Sequence, residues 1–181
     1  WQPSKEGDRL AFQVSVGGTE ESEVHVIDVA TGASLEGPID RARYSPIGWL
    51  VGGDAYYYVR RLAPEALPRG EEQFHRRVWL HRIGDNPDDD VLIFGEGRKL
   101  TEYFGAGVSR DGRWLSISAS EGTAPRNDLW VADLSSSEPT EPILVPVQTG
   151  IDAQTGLRFG RDGRVYVFTD RDAPRGRLAV T

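Results

Sequence analysis

The sequence predicts an all-β fold made of β-propeller blades of about four antiparallel strands, and three observations carry that reading. Apolar residues alternate, or run for a few positions before a Gly, Asp or Pro interrupts them, so helical spacing is nearly absent. The turns Glu6-Gly7-Asp8-Arg9, Gly52-Gly53-Asp54, Arg110-Asp111-Gly112-Arg113 and Arg161-Asp162-Gly163-Arg164 each precede an apolar run, and their glycines Gly7, Gly53, Gly112 and Gly163 are 46, 59 and 51 residues apart. A further run follows in the first three units, starting at Val24, Val78 and Leu129, 54 and 51 residues apart, so two independent features share one period. A period of about 50 residues with several short strands per unit is the spacing of propeller blades.

In chain order the expected strands are Leu10 to Val16, Val24 to Val29, Ala55 to Val59, Val78 to Ile83, Val91 to Phe94, Trp114 to Ser118, Leu129 to Leu134 and Val165 to Thr169. All are rich in Val, Ile, Tyr, Phe or Trp, the residues that suit a pleated, buried surface. Within a unit, an inner strand precedes the Asp-Gly turn, a second strand follows it, a third carries the Trp or His pattern, and a weaker fourth lies outside. Gly is needed at each turn because a tight hairpin requires positive φ, which Gly adopts without steric cost. Boundaries near Arg41, Leu100 and Gly150 divide the chain into blades of approximately 1–40, 41–99, 100–149 and 150–181, roughly three complete blades and part of a fourth. Propellers close with about four to eight blades, so the chain is expected to be an arc cut from a longer protein, with open edges that favour self-association.

Leu62 to Phe74 breaks the blade rhythm with two prolines and a Gly. It reads as a solvated connector or as a rim that touches a neighbouring domain or substrate. Ser135 to Pro142 is a polar turn cluster.

Composition narrows the function. The chain has 181 residues, 38% hydrophobic and 27% charged, which fits about one domain. Its 21 Lys and Arg against 28 Asp and Glu leave a formal charge of −7, the wrong sign for nucleic acid or anionic lipid. No window approaches the roughly 20 consecutive apolar residues of a membrane helix. Zero Cys excludes disulfides, thiolate metal sites and cysteine nucleophiles, and suits a cytoplasmic protein.

No motif in the chain carries catalysis. Gly107-Val108-Ser109-Arg110-Asp111 lacks the second Gly of a nucleophile elbow and runs into a hairpin rather than a helix. His25, His75 and His81 have no metal or triad spacing, and His25 and His81 read as core or edge residues of strands. Asp88-Asp89-Asp90 lacks the alternation of a calcium loop and reads as a solvated turn. Gly95-Glu96-Gly97-Arg98 lacks the third Gly and the helix of a phosphate loop. Trp49, Trp79, Trp114 and Trp130 read as packing between blades. In Tyr56-Tyr57-Tyr58, alternate side chains must face opposite ways, and Tyr57 is a candidate substrate-facing residue. No cofactor is expected.

The succession Trp49, Gly53-Asp54-Ala55-Tyr56-Tyr57-Tyr58, His75-Arg76-Arg77-Val78-Trp79-Leu80-His81-Arg82-Ile83-Gly84 and Asp88-Asp89-Asp90-Val91-Leu92-Ile93-Phe94 resembles the propeller of the prolyl oligopeptidases. The resemblance continues through Ser109-Arg110-Asp111-Gly112-Arg113-Trp114, Glu121 to Trp130 and Asp133-Leu134, and back through Gly17 to Ser22 and Asp28-Val29, in one order over essentially the whole chain.

That resemblance implies part of a seven-bladed propeller capping an α/β-hydrolase serine peptidase domain elsewhere in the parent chain, with short peptides cleaved typically after proline. It also implies that an aromatic at Tyr57 and the residue at 128 border the substrate. The family's Asn-Arg-Leu-Trp run is Asn127-Asp128-Leu129-Trp130 here, so Asp128 reverses the charge of an Arg, and the family's Cys four positions later is Ala132. The reversal implies altered specificity, such as tolerance of a basic group near the cleaved bond. Two other readings stay open: a related oligopeptidase cleaving after basic residues, and a propeller scaffold that binds a partner without chemistry.

Overall fold

The computed structural model describes residues 1–181 and folds into four antiparallel sheets arranged as an open arc. The first holds β1 (Gln2–Pro3), β2 (Arg9–Val14), β3 (Glu23–Asp28) and β4 (Ser34–Ile39), and the second β5 (Ile47–Trp49), β6 (Ala55–Arg61), β7 (Arg76–Arg82) and β8 (Val91–Phe94). The third holds β9 (Glu102–Val108), β10 (Trp114–Glu121), β11 (Asp128–Asp133) and β12 (Val145–Gln148), and the last β13 (Thr155–Phe159), β14 (Val165–Thr169) and β15 (Arg177–Val180). Within every sheet neighbours in sequence are neighbours in space, the up-and-down order of a propeller blade.

The repeated turns set this order. Gly7, Gly53, Gly112 and Gly163 have φ of +81°, +66°, +78° and +78°, the left-handed values the hairpins need. Ser109 secures its turn by donating to Asp111 and accepting from the Trp114 amide at 2.8 Å. Ser4 does the same in the first sheet through Asp8 and the Arg9 amide. The β6–β7 hairpin extends beyond its apolar run, because the arginines Arg60, Arg61, Arg76 and Arg77 continue the ladder in register, with Arg60 and Arg61 finding side-chain partners at its end.

Each sheet is held by what covers its faces. β6 is buried along its whole length, with Tyr56 and Tyr58 packed among Ala11, Val24, Val26 and Ile39 of the first sheet. Tyr57 and Val59 face the other way, onto Phe104, Ala106, Leu115 and Ile117 of the third. Each such side chain contributes about 1.5–3 kcal/mol on burial. Three tryptophans bridge sheets as expected. Trp49 donates to the Gln2 carbonyl at 3.1 Å, Trp130 packs 4.7 Å from Phe94, and Trp114 stacks on Phe159 at 5.8 Å. Trp79 also packs against the cluster shared by the first two sheets, and its indole donates within its own sheet to the Arg60 carbonyl at 3.0 Å.

A buried ionic cluster joins the first two sheets. His81 has no solvent exposure. Its Nδ1 lies 2.7 Å from Asp90 Oδ1, and its Nε2 lies 3.1 Å from Glu36 Oε2 on β4. The Tyr58 hydroxyl donates to Asp90 at 2.6 Å, and the Gly84 and Gly37 amides donate to Glu36 at 2.7 and 3.0 Å. Only the imidazolium has a donor on both nitrogens. Burial alone lowers the His81 pKa, but the Asp90 and Glu36 carboxylates outweigh it and hold it above the ordinary 6.5. Asp88-Asp89-Asp90 is therefore more than a solvated turn, since the Asp90 side chain is only 3% exposed.

Two predictions follow from this packing. Gly112 and Gly163 share φ = +78°, but a Cβ on Gly112 would meet Val51 Cγ2 at 2.2 Å, whereas one on Gly163 meets nothing. Gly163→Ala costs roughly 1–2 kcal/mol through backbone strain alone, and Gly112→Ala costs more. Adding Val51→Ala removes the excess in urea denaturation, and equal costs for the two glycines would refute the inter-sheet contact. For His81, the raised folded pKa means that its stabilisation is complete below the unfolded pKa of about 6.5 and is lost as pH rises through the folded value. The stability difference between the wild type and His81→Gln should therefore shrink from neutral into alkaline pH, and a flat difference there refutes the imidazolium bridge.

Candidate functional site

The side of the arc where the 62–75 and 122–127 connections leave the strands gathers most of the chain's buried charge. Arg98 lies between two carboxylates there. Its Nε and Nη2 donate to Glu102 at 2.8 and 2.6 Å, and Nη2 also donates to Asp128 at 2.8 Å. The guanidinium lies 5.1 Å from the Trp130 ring, a cation–π contact that fixes its plane. Burial alone lowers the Arg98 pKa, but Glu102 and Asp128 outweigh it and raise it. Asp128 opens β11, and its other oxygen accepts the Gly150 amide at 2.8 Å. Across a cavity of about 330 Å³, Lys99 pairs with Glu121 at 2.9 Å and Arg126 stands on the rim.

Asn127, beside Asp128, joins the third sheet to the last. Its side-chain amide donates to the Thr155 carbonyl at 3.0 Å and accepts the Thr155 amide at 2.8 Å. Gln148 donates to the carbonyls of Asn127 and Ala153, both at 2.9 Å, and accepts from the Thr155 hydroxyl. A wider groove of about 840 Å³ adjoins, between the third and last sheets. Gly105, Gly107, Ser116 and Ser118, small residues at alternate positions on one face of β9 and β10, line it.

The two residues singled out from the sequence lie apart in character. Asp128 borders the smaller cavity and shares Arg98 with Glu102. Tyr57 has no solvent exposure, and its hydroxyl donates to the Pro139 carbonyl at 2.8 Å across the interface of the second and third sheets. Ser109 is a turn residue, 7% exposed. His75 pairs with Glu71 at 2.6 Å inside the 62–75 connection, and His25 stacks on Phe12 at 5.5 Å. Sequence reasoning passed over Arg98, which looked like the end of a glycine turn, and Glu102. The four-residue spacing of this opposite-charge pair was the one available signal.

Arg98→Met leaves Glu102, 7% exposed, without its guanidinium and should cost about 3 kcal/mol. Asp128→Asn keeps an acceptor for Gly150 and should cost about 1 kcal/mol or less. Urea denaturation of the two variants tests the ranking, and equal costs would show that Arg98 does not hold Glu102.

Comparison with known proteins gives a consistent result. The family model for the prolyl oligopeptidase N-terminal β-propeller domain matches residues 1–181. A prolyl endopeptidase of Elizabethkingia meningoseptica is 29% identical over 180 residues, 98% of this chain and 24% of that protein. Prolyl oligopeptidase A of Amanita bisporigera is 22% identical, over 96% of this chain and 25% of that protein. A structure from a study of two prolyl endopeptidases superposes with a TM-score of 0.85 at 25% identity, covering 100% of this chain and 26% of that one. Oligopeptidase B from Leishmania major shares the fold, with a TM-score of 0.74 at 16% identity, over 97% of this chain and 23% of that one. The chain thus spans about a quarter of the length of these relatives. No helix is long and apolar enough to cross a membrane.

Proposed function

The chain belongs to the prolyl oligopeptidase family, as a stretch of its N-terminal β-propeller domain, and we propose that it forms part of the substrate-gating propeller of a serine endopeptidase. In this reading the full-length protein hydrolyses short peptides after proline, with Ser, Asp and His on an α/β-hydrolase domain outside these residues. The observation that carries it is the match of the whole chain, in one order, to the propeller of that family. The sheets serve as blades, divided at about residues 41, 100 and 150, within a larger closed propeller. The cysteine-free composition supports a cytoplasmic location.

The physical logic is exclusion. A ring of blades over the catalytic centre admits a flexible peptide and refuses a folded protein, and closure removes water from around the reacting carbonyl. In this reading Asp128, on the cavity-bearing side, borders the bound peptide, whereas Tyr57 is buried and its hydroxyl holds the Pro139 carbonyl between the second and third sheets. Because Asp128 already shares Arg98 with Glu102, a basic substrate group gains from Asp128 in competition with Arg98, so the preference for basic peptides is modest. The ends of the arc leave sheet faces uncovered. Phe168 and Leu178, 52% and 55% exposed, would draw isolated copies together.

The full-length protein should label with a fluorophosphonate at a Ser beyond Thr181 and cleave a chromogenic Gly-Pro substrate. An unlabelled protein would overturn the peptidase reading. Asp128→Asn should lower kcat/KM for peptides with a basic residue next to the proline by about threefold, or roughly 0.7 kcal/mol, while sparing neutral ones. Equal effects on both would remove Asp128 from the substrate border.

A further inference from the structure

A second polar cluster lies on the same side of the arc, and the peptidase reading does not use it. Arg76 opens β7, is only 3% exposed, and its guanidinium makes no hydrogen bond or ion pair. Its one close partner is the ring of Tyr103 on β9, 3.8 Å away. Arg61, 5% exposed, pairs with Glu21 and donates to Gln73 at 2.7 Å and to the Glu72 carbonyl at 3.0 Å. Arg43 pairs with Glu20 and lies 4.9 Å from the ring of Tyr44, which in turn lies 6.4 Å from Tyr103. The Nε atoms of all three arginines are buried without a partner.

Three guanidinium groups thus share two glutamates, and the deficit falls on Arg76. Burial pushes Arg76 below its ordinary value and the charges of Arg61 and Arg43 push the same way, against Tyr103 and Glu21. An arginine cannot relieve this by losing its proton. A buried cation without a counter-charge is strongly unfavourable, so a partner from outside the cluster is called for.

We propose that Arg76, flanked by Arg61 and Arg43 and floored by Tyr103, binds a carboxylate carried by a polypeptide. The planar guanidinium fork matches a carboxylate bidentately, and the aromatic floor holds the fork in plane. The missing charge is one, as a carboxylate supplies and a phosphate dianion would exceed. The cluster joins the rest of this side through the His75 amide, which donates to the Leu100 carbonyl at 3.0 Å. The carboxylate comes either from a separate peptide or from another part of the same polypeptide, and the site stands whether or not the full-length protein is a peptidase.

The test uses the full-length protein with ¹⁵N-labelled arginine and two blocked tripeptides, Ac-Ala-Glu-Ala-NH₂ and Ac-Ala-Gln-Ala-NH₂. A separate-peptide source predicts a saturable shift of the Arg76 Nε–H resonance with the Glu peptide alone. Arg76→Met should then weaken binding at least tenfold, and Arg76→Lys less. An internal source predicts that neither peptide binds and that Arg76→Met lowers the melting temperature, because a carboxylate elsewhere in the chain loses its partner. If neither peptide binds and Arg76→Met leaves the melting temperature unchanged or raises it, the proposal is overturned.

Discussion

The structure depends on one constraint: a four-stranded sheet has two faces, and an apolar face is stable only when another sheet covers it. The second sheet meets this on both sides. Tyr56 and Tyr58 are covered by the first sheet and Tyr57 by the third, and none of the three is exposed. Between the first two sheets His81 is fully matched by Asp90 and Glu36, whereas the buried Tyr56 hydroxyl has no partner. The last sheet has a neighbour on one side only, and its far face shows Phe168, Leu178 and Val180 to solvent.

The same constraint places function at the ends of the sheets. Faces are spent on packing, so cavities and unmatched charge collect where strands end and connections leave the stack. Asp128 begins a strand, Arg98 and Arg126 lie on connections, and Arg61 and Arg76 close the extended β6–β7 hairpin. Charge at this end alternates in sign rather than forming a single-sign field, with Arg98 between Glu102 and Asp128 and Lys99 beside Glu121.

The hairpin shows how a local choice becomes a site. Four arginines lengthen β6 and β7 past their apolar run and carry positive charge into half-buried ground. Arg60 is matched by Asp40 and Asp88, and Arg61 by Glu21. Arg77 has no carboxylate and donates only to the Arg76 carbonyl, and the Arg76 guanidinium has no hydrogen bond or ion pair at all; that difference marks Arg76 as the proposed binding residue.

By itself the sequence determined the blades. The period of the Asp-Gly turns, the β-branched and aromatic runs and the bridging tryptophans act within a few residues or repeat along the chain, so their meaning is written locally. Strand ends were less legible, because Arg60, Arg61, Arg76 and Arg77 are strand residues only by virtue of the partners they meet. Which charges lie together was decided by tertiary structure alone. Glu36 and His81 are 45 residues apart, Arg98 and Asp128 are 30 apart, and Tyr57 reaches the Pro139 carbonyl across 82. Such pairs form because stacking brings one sheet's face against the next, and the geometry of that stacking leaves no signature in the residues on either side.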